Sequence, residues 1–132
     1  MTRPTCIECG QRAFCVTGDT IYPSRTDLHK KYFYRCKCGA YCGCHAGTRK
    51  SLGTPCGPQT RRMRMAAHEE FDKIWKGEPA YMTRGQAYEW LAGLLGKDTY
   101  ECHIGRMNAL DAGLVVVHAK YYLETKQKEA TR

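Results

Sequence analysis

CIECG at residues 6–10 and YRCKCGAYCGCH at residues 34–45 decide the reading of this chain. The first holds Cys6 and Cys9 with two residues between them; the second opens on Cys36 and Cys38 with one between. A short cysteine pair turns a tight knuckle that aims two thiolates at one point, and two knuckles supply the closed set of four that tetrahedral Zn²⁺ favours. Binding energy in such a site is folding energy, on the order of 10–16 kcal/mol. The spacing therefore predicts one structural Zn²⁺ on Cys6, Cys9, Cys36 and Cys38. Cys42, Cys44 and His45 follow closely, and Cys44 or His45 is the alternative to Cys38 as a ligand. Cys15, Cys42 and Cys44 otherwise read as small buried hydrophobes.

A disulfide framework is the rival reading of nine cysteines. It needs an oxidising compartment, and residues 1–30 carry no continuous apolar stretch of signal-peptide type. An odd count also leaves one thiol unpaired in any all-disulfide monomer. No segment approaches the ~18 apolar residues of a membrane helix. The expectation is a cytoplasmic zinc protein with no membrane partner.

The fold class expected is α+β: a small N-terminal, three-stranded β zinc ribbon followed by a C-terminal three-helix region. Residues 5–47 form the ribbon, with β-prone runs at 12–16, 31–35 and 40–45. Thr17-Gly18-Asp19 and Tyr22-Pro23-Ser24-Arg25 are turn signals. Residues 48–57 read as a linker or an irregular wrap over the metal module, and 58–124 as the helical region. Pro58 suits a first helical turn, and the helix it opens runs to about Lys76 before Gly77 and Pro79. Met63, Ala66, Ala67, Phe71 and Ile74 make its core face. Thr83-Arg84-Gly85-Gln86 is a capping box for a second helix, stopped by Gly96, with Ala87, Leu91, Leu94 and Leu95 inward. A third helix begins near Asn108, its apolar stripe being Leu110, Leu114, Val117 and Tyr121. Residues 125–132 read as a frayed tail.

Charge narrows the partners. There are 21 Lys and Arg against 13 Asp and Glu, a net charge of +8. The excess is clustered, since no acid occurs from 46 to 68. Arg49, Lys50, Arg61, Arg62 and Arg64 fall in or beside that window. Arg25, Lys30 and Lys31 precede Tyr32 and Tyr34. Basic groups neutralise phosphates and aromatic faces stack on unpaired bases, so these ten residues are the candidate DNA- or RNA-binding set.

The order CIECG, YRCKCGAYCGCHAGT, SLGTP, AAHEEFDKIW, RGQAYEWLAGLLG and ECHIG resembles a zinc-finger-containing domain of unknown function found in bacteriophage and prophage proteins. The likeness covers roughly residues 5–110. It implies a Cys₄ ribbon followed by helices, the metal role for Cys6, Cys9, Cys36 and Cys38, and a phage or prophage origin, hence a host cytoplasm. Two features depart from the family pattern. The second knuckle is one residue short, and ECHIG continues with Arg106-Met107-Asn108 where the family often has Phe-Asp.

Three functions compete. A nucleic-acid-binding ribbon uses the basic and aromatic set; a loose helix-turn-helix rhythm over 83–117 would put Arg106 and Asn108 at a recognition helix. A module docking on a host or phage protein would use Tyr22, Tyr32, Tyr41 and Trp90 as anchors. A metal-dependent phosphodiester-cleaving enzyme would use His68, Asp72 and His103. Against the last, His68 and Asp72 are also a plain i,i+4 surface pair.

Overall fold

The computed structural model describes residues 3–131, which divide into two compact units, one ending at Pro58 and one starting at Gln59. In the first unit, strands β1 (Phe14–Thr17), β2 (Tyr32–Arg35) and β3 (Tyr41–Gly43) form an antiparallel sheet in the order β1-β2-β3. The register sets Cys15 opposite Tyr34 and Tyr34 opposite Cys42. Facing pairs share a face of the sheet, so this row lies on one side. Phe33 and Tyr41 lie on the other, where they meet Tyr22 edge to face at 5.7 and 5.8 Å. The Tyr22 and Tyr41 hydroxyls are 2.8 Å apart, so two of the expected anchors are tied to each other.

A short helix, α1 (Gly18–Ile21), occupies the expected Thr17-Gly18-Asp19 turn. The turn needs glycine on steric grounds: a Cβ at Gly18 would lie 1.7 Å from the Leu28 carbonyl oxygen. Residues 48–57 wrap back along the sheet. Cys56 exchanges backbone hydrogen bonds with Tyr41, Leu52 N–H donates to Gly43, and Ile7 N–H donates to Pro55.

The second unit is helical: α2 (Pro58–Lys76), α3 (Arg84–Leu95) and α4 (Ala109–Ala130). The capping box forms, with Thr83 Oγ1 accepting from Gln86 N–H while Gln86 Oε1 accepts from Thr83 N–H. Gly96 ends α3 in the left-handed conformation. Asn108 caps α4 by accepting from Asp111 N–H at 2.8 Å.

Three sequence expectations need correction here. The stripe Leu110, Leu114, Val117 and Tyr121 is not the core face of α4; Ala112, Val115 and Ala119 are buried instead. Small side chains at 112 and 119 let the helix backbone come close to its neighbours, and Gly113 sits so near α2 that a Cβ would be 3.3 Å from the Met63 methyl. Leu94, likewise expected inward, is exposed, while Ala87 and Leu91 are buried. Helix α4 also continues to Ala130, through the stretch read as a frayed tail. The Lys126–Glu129 pair and the Thr125 hydroxyl on the Tyr121 carbonyl are local contacts within that end.

Candidate metal centre

Both knuckles are built alike. In the first, Gly10 N–H donates to the Cys6 carbonyl at 3.0 Å; in the second, Gly39 N–H donates to the Cys36 carbonyl at 2.9 Å. Each glycine directly follows the second cysteine of its pair and has a positive φ, +78° and +96°. That left-handed conformation is costly for any residue with a Cβ. The first turn spans five residues, Cys6 to Gly10, and the second four, Cys36 to Gly39, so the shorter CxC pair is absorbed by a tighter turn. Cys6 N–H to Gln11 and Cys36 N–H to Ala40, both 2.8 Å, close the two loops.

The knuckles bring four sulfurs together. All lie within 4.8 Å of one another, with Cys6 Sγ to Cys38 Sγ at 3.7 Å and Cys9 Sγ to Cys36 Sγ at 3.2 Å. Zn–S bonds of ~2.3 Å in a tetrahedron set sulfurs ~3.8 Å apart. The first edge matches, and the second is short by ~0.6 Å, which rotation of the exposed Cys9 side chain supplies. Four soft thiolates and no competing oxygen ligand are the donor set of structural zinc, so the residues fit one such ion. With four protein ligands the site is closed. It leaves no position for a reactive water, and its chemistry is to hold the fold.

The surroundings act differently on the thiols of Cys6, Cys9 and Cys36 in the metal-free protein. The N–H of Cys38 lowers the Cys36 thiol to about 7, helped by Cys9. Cys9 is lowered by the Gln11 N–H, but hydrogen bonding to Cys36 and desolvation outweigh this and push it up to about 12. Burial raises Cys6, opposed by the backbone N–H groups of Cys9 and Glu8. Zinc takes thiolates, so metal capture displaces protons from the cluster, and the raised Cys6 and Cys9 thiols give theirs up against burial and hydrogen bonding.

Among the described residues, this is the one group of three or more His, Cys, Asp or Glu ligand atoms close enough to hold an ion. Cys44 and His45 are outside it; Cys44 bridges Ser51 through the backbone, and His45 is exposed. His68, Asp72 and His103 do not converge as a ligand set. Desolvation lowers the His68 pKa, with the Asp72 charge opposing. Asp72 accepts from Trp75 Nε1 at 3.1 Å and pairs with Lys76 at 3.7 Å. His103 packs against Tyr88, ring centroids 5.2 Å apart.

The basic and aromatic set sorts itself by burial and pairing. Tyr34 is 4% exposed with its hydroxyl donating to the Arg49 carbonyl at 2.8 Å, so its ring is a packing element with no face to offer a base. Arg64 is 7% exposed, and its Nε donates to the Met107 carbonyl at 2.7 Å inside the helical unit. Both were expected on the binding surface, and both are structural. Arg25 is held by Asp27 through two hydrogen bonds, 3.0 and 2.8 Å, which compensates its charge. Lys30, Lys31, Arg49 and Lys50 are exposed in the first unit; Arg62 is exposed and Arg61 half-buried on α2. The guanidinium of Arg49 lies 5.1 Å from the centre of the Tyr32 ring, and both border a cavity of about 360 Å³ with Cys15, Val16, Thr17 and Thr20. The sequence signalled Tyr32 and Arg49 separately. It held no sign of Thr17 and Thr20, because strand pairing sets Thr17 opposite Tyr32 and the short helix α1 carries Thr20. Arg106 and Asn108 are likewise occupied, Arg106 stacked on Tyr100 at 4.8 Å and Asn108 capping α4.

A four-cysteine cluster on two glycine-closed knuckles, under a three-stranded sheet and ahead of helices, defines a zinc-binding module of the zinc-finger class. The chain belongs to the zinc-finger-containing domain family of unknown function, whose profile matches residues 2–120. No curated protein and no solved structure matches it.

Proposed function

We propose that this protein binds nucleic acid through the sheet face of its zinc unit, with single-stranded DNA or RNA engaged at Tyr32 and Arg49. The observation that carries this reading is the cation–π contact of Arg49 with Tyr32, 5.1 Å from the ring centre, beside an open cavity of about 360 Å³. A guanidinium beside an aromatic ring can donate to phosphate while the ring offers a face to an unpaired base. No carboxylate lines that cavity, and the exposed ammonium groups of Lys30, Lys31 and Lys50 belong to the same unit. Zinc holds the fold of the unit that carries these groups, so the metal is structural and the surface is the tool. The resemblance to phage and prophage domains supports a setting in the host cytoplasm, with a host or phage protein as the alternative partner.

Titration of labelled random-sequence single strands, followed by fluorescence anisotropy at several salt concentrations, tests this. Log affinity should fall linearly with log salt, by ~0.7 per phosphate neutralised. Arg49→Ala should weaken binding and flatten that slope. Tyr32→Ala should weaken binding by ~1–3 kcal/mol with the slope kept, as loss of one stacked base does. Absence of salt-dependent binding to either DNA or RNA would sink the reading and favour a protein partner.

A further inference from the structure

Helix α4 carries two apolar stripes, and the helical unit uses one. Ala112, Val115 and Ala119 are fully buried, with Val116, Tyr122 and Leu123 packed against that core. The second stripe stays in water: Leu110 is 73% exposed, Leu114 38%, Val117 63% and Tyr121 71%. Its steps of four, three and four residues are the a/d seam of a coiled coil. Leu94 of α3, also exposed, joins it across a groove of about 390 Å³ that Trp90, His118 and Tyr121 help to line.

We propose that this seam pairs with the seam of a second copy of the chain, α4 against α4, antiparallel about a two-fold axis between Leu114 and Val117. Three features favour a second copy as occupant. A 4-3-4 spacing reads the same in both directions, so an isologous pair sets Leu110 against Tyr121 and Leu114 against Val117 with nothing left over. Antiparallel pairing runs the helix dipoles head to tail and sets Lys120 by Gly113 instead of by another cation. The five exposed apolar side chains offer on the order of 500 Å² per chain, so pairing covers about 1,000 Å², the threshold for a specific interface. The inference is independent of nucleic-acid binding.

Sedimentation equilibrium of the full, zinc-loaded chain tests it. A dimer should predominate at about 100 µM and dissociate on dilution, as a short seam of micromolar affinity does. Leu114→Lys should be monomeric with unchanged helix content and melting temperature, because the side chain lies outside the core. Leu110→Lys and Tyr121→Glu should each be monomeric alone and form a one-to-one heterodimer when mixed, since the register opposes 110 to 121. A wild-type chain that stays monomeric at about 100 µM overturns the proposal. So does a dimer indifferent to Leu114→Lys, and a mixture that fails to pair removes the antiparallel register.

Discussion

The two units of this chain are stabilised by different means. In the zinc unit the buried side chains are mostly small: Cys6, Ala13, Cys36, Ala40, Pro55 and Cys56, with Tyr34 as the one large ring. Such small side chains cover little apolar surface, and domains below about 40 residues or of thin core rely on metals or disulfides. The helical unit buries Phe71, Ile74, Leu91, Ile104, Met107 and Val115 together with Tyr88. Each large aliphatic or aromatic side chain there is worth ~1.5–3 kcal/mol of burial. One unit is therefore held by a single strong centre, the other by many moderate contacts. A single atom can undo the first; only accumulated damage undoes the second.

Metal removal should give the largest effect. Cys9→Ser, or dialysis against a strong chelator, should abolish zinc retention and melt the sheet, at a cost on the order of the 10–16 kcal/mol of a structural site. Far-ultraviolet circular dichroism should still show the helices of α2, α3 and α4; their simultaneous loss would mean the units fold as one. The converse is Phe71→Ala, expected to lower helical stability by ~3–5 kcal/mol in thermal melts while zinc stoichiometry stays at one per chain. Arg64→Met should cost ~1–3 kcal/mol, because the Met107 carbonyl loses its buried partner. Replacing Thr83 with alanine should cost ~1 kcal/mol, the loss of one side of a capping box, read as a small downward shift in the same melts.

Much of the architecture was legible from residue spacing because it is locally encoded. The knuckles, the limits of α2, the capping box, Gly96 and the start of α4 near Asn108 all depend on residues within four positions of one another. The errors came where a decision depends on distant neighbours. In α4 both stripes have helical period, and size alone favours Leu110, Leu114, Val117 and Tyr121. The packing favours Ala112 and Ala119 because close approach of helices rewards small side chains. Arg64 is on the core face of α2, in line with Thr60, Ala67, Phe71 and Ile74. Its polarity disguised it, since nothing local announces that the Met107 carbonyl needs a donor 43 positions away. Tyr34 was misread for a similar reason: the strand pattern put it beside Tyr32, but the returning 48–57 segment covers it.

One asymmetry of the metal centre bears on exchange rather than stability. Cys6 and Cys36, the first cysteine of each knuckle, are buried, while Cys9 and Cys38, the second of each, are exposed. An incoming chelator or oxidant meets Cys9 and Cys38 first, and a partly released ion is still gripped from beneath by Cys6 and Cys36. Loss of a bound ion would thus run in two stages, at a rate that would rise with the concentration of the attacking ligand. The centre can be thermodynamically tight and still kinetically open to transfer.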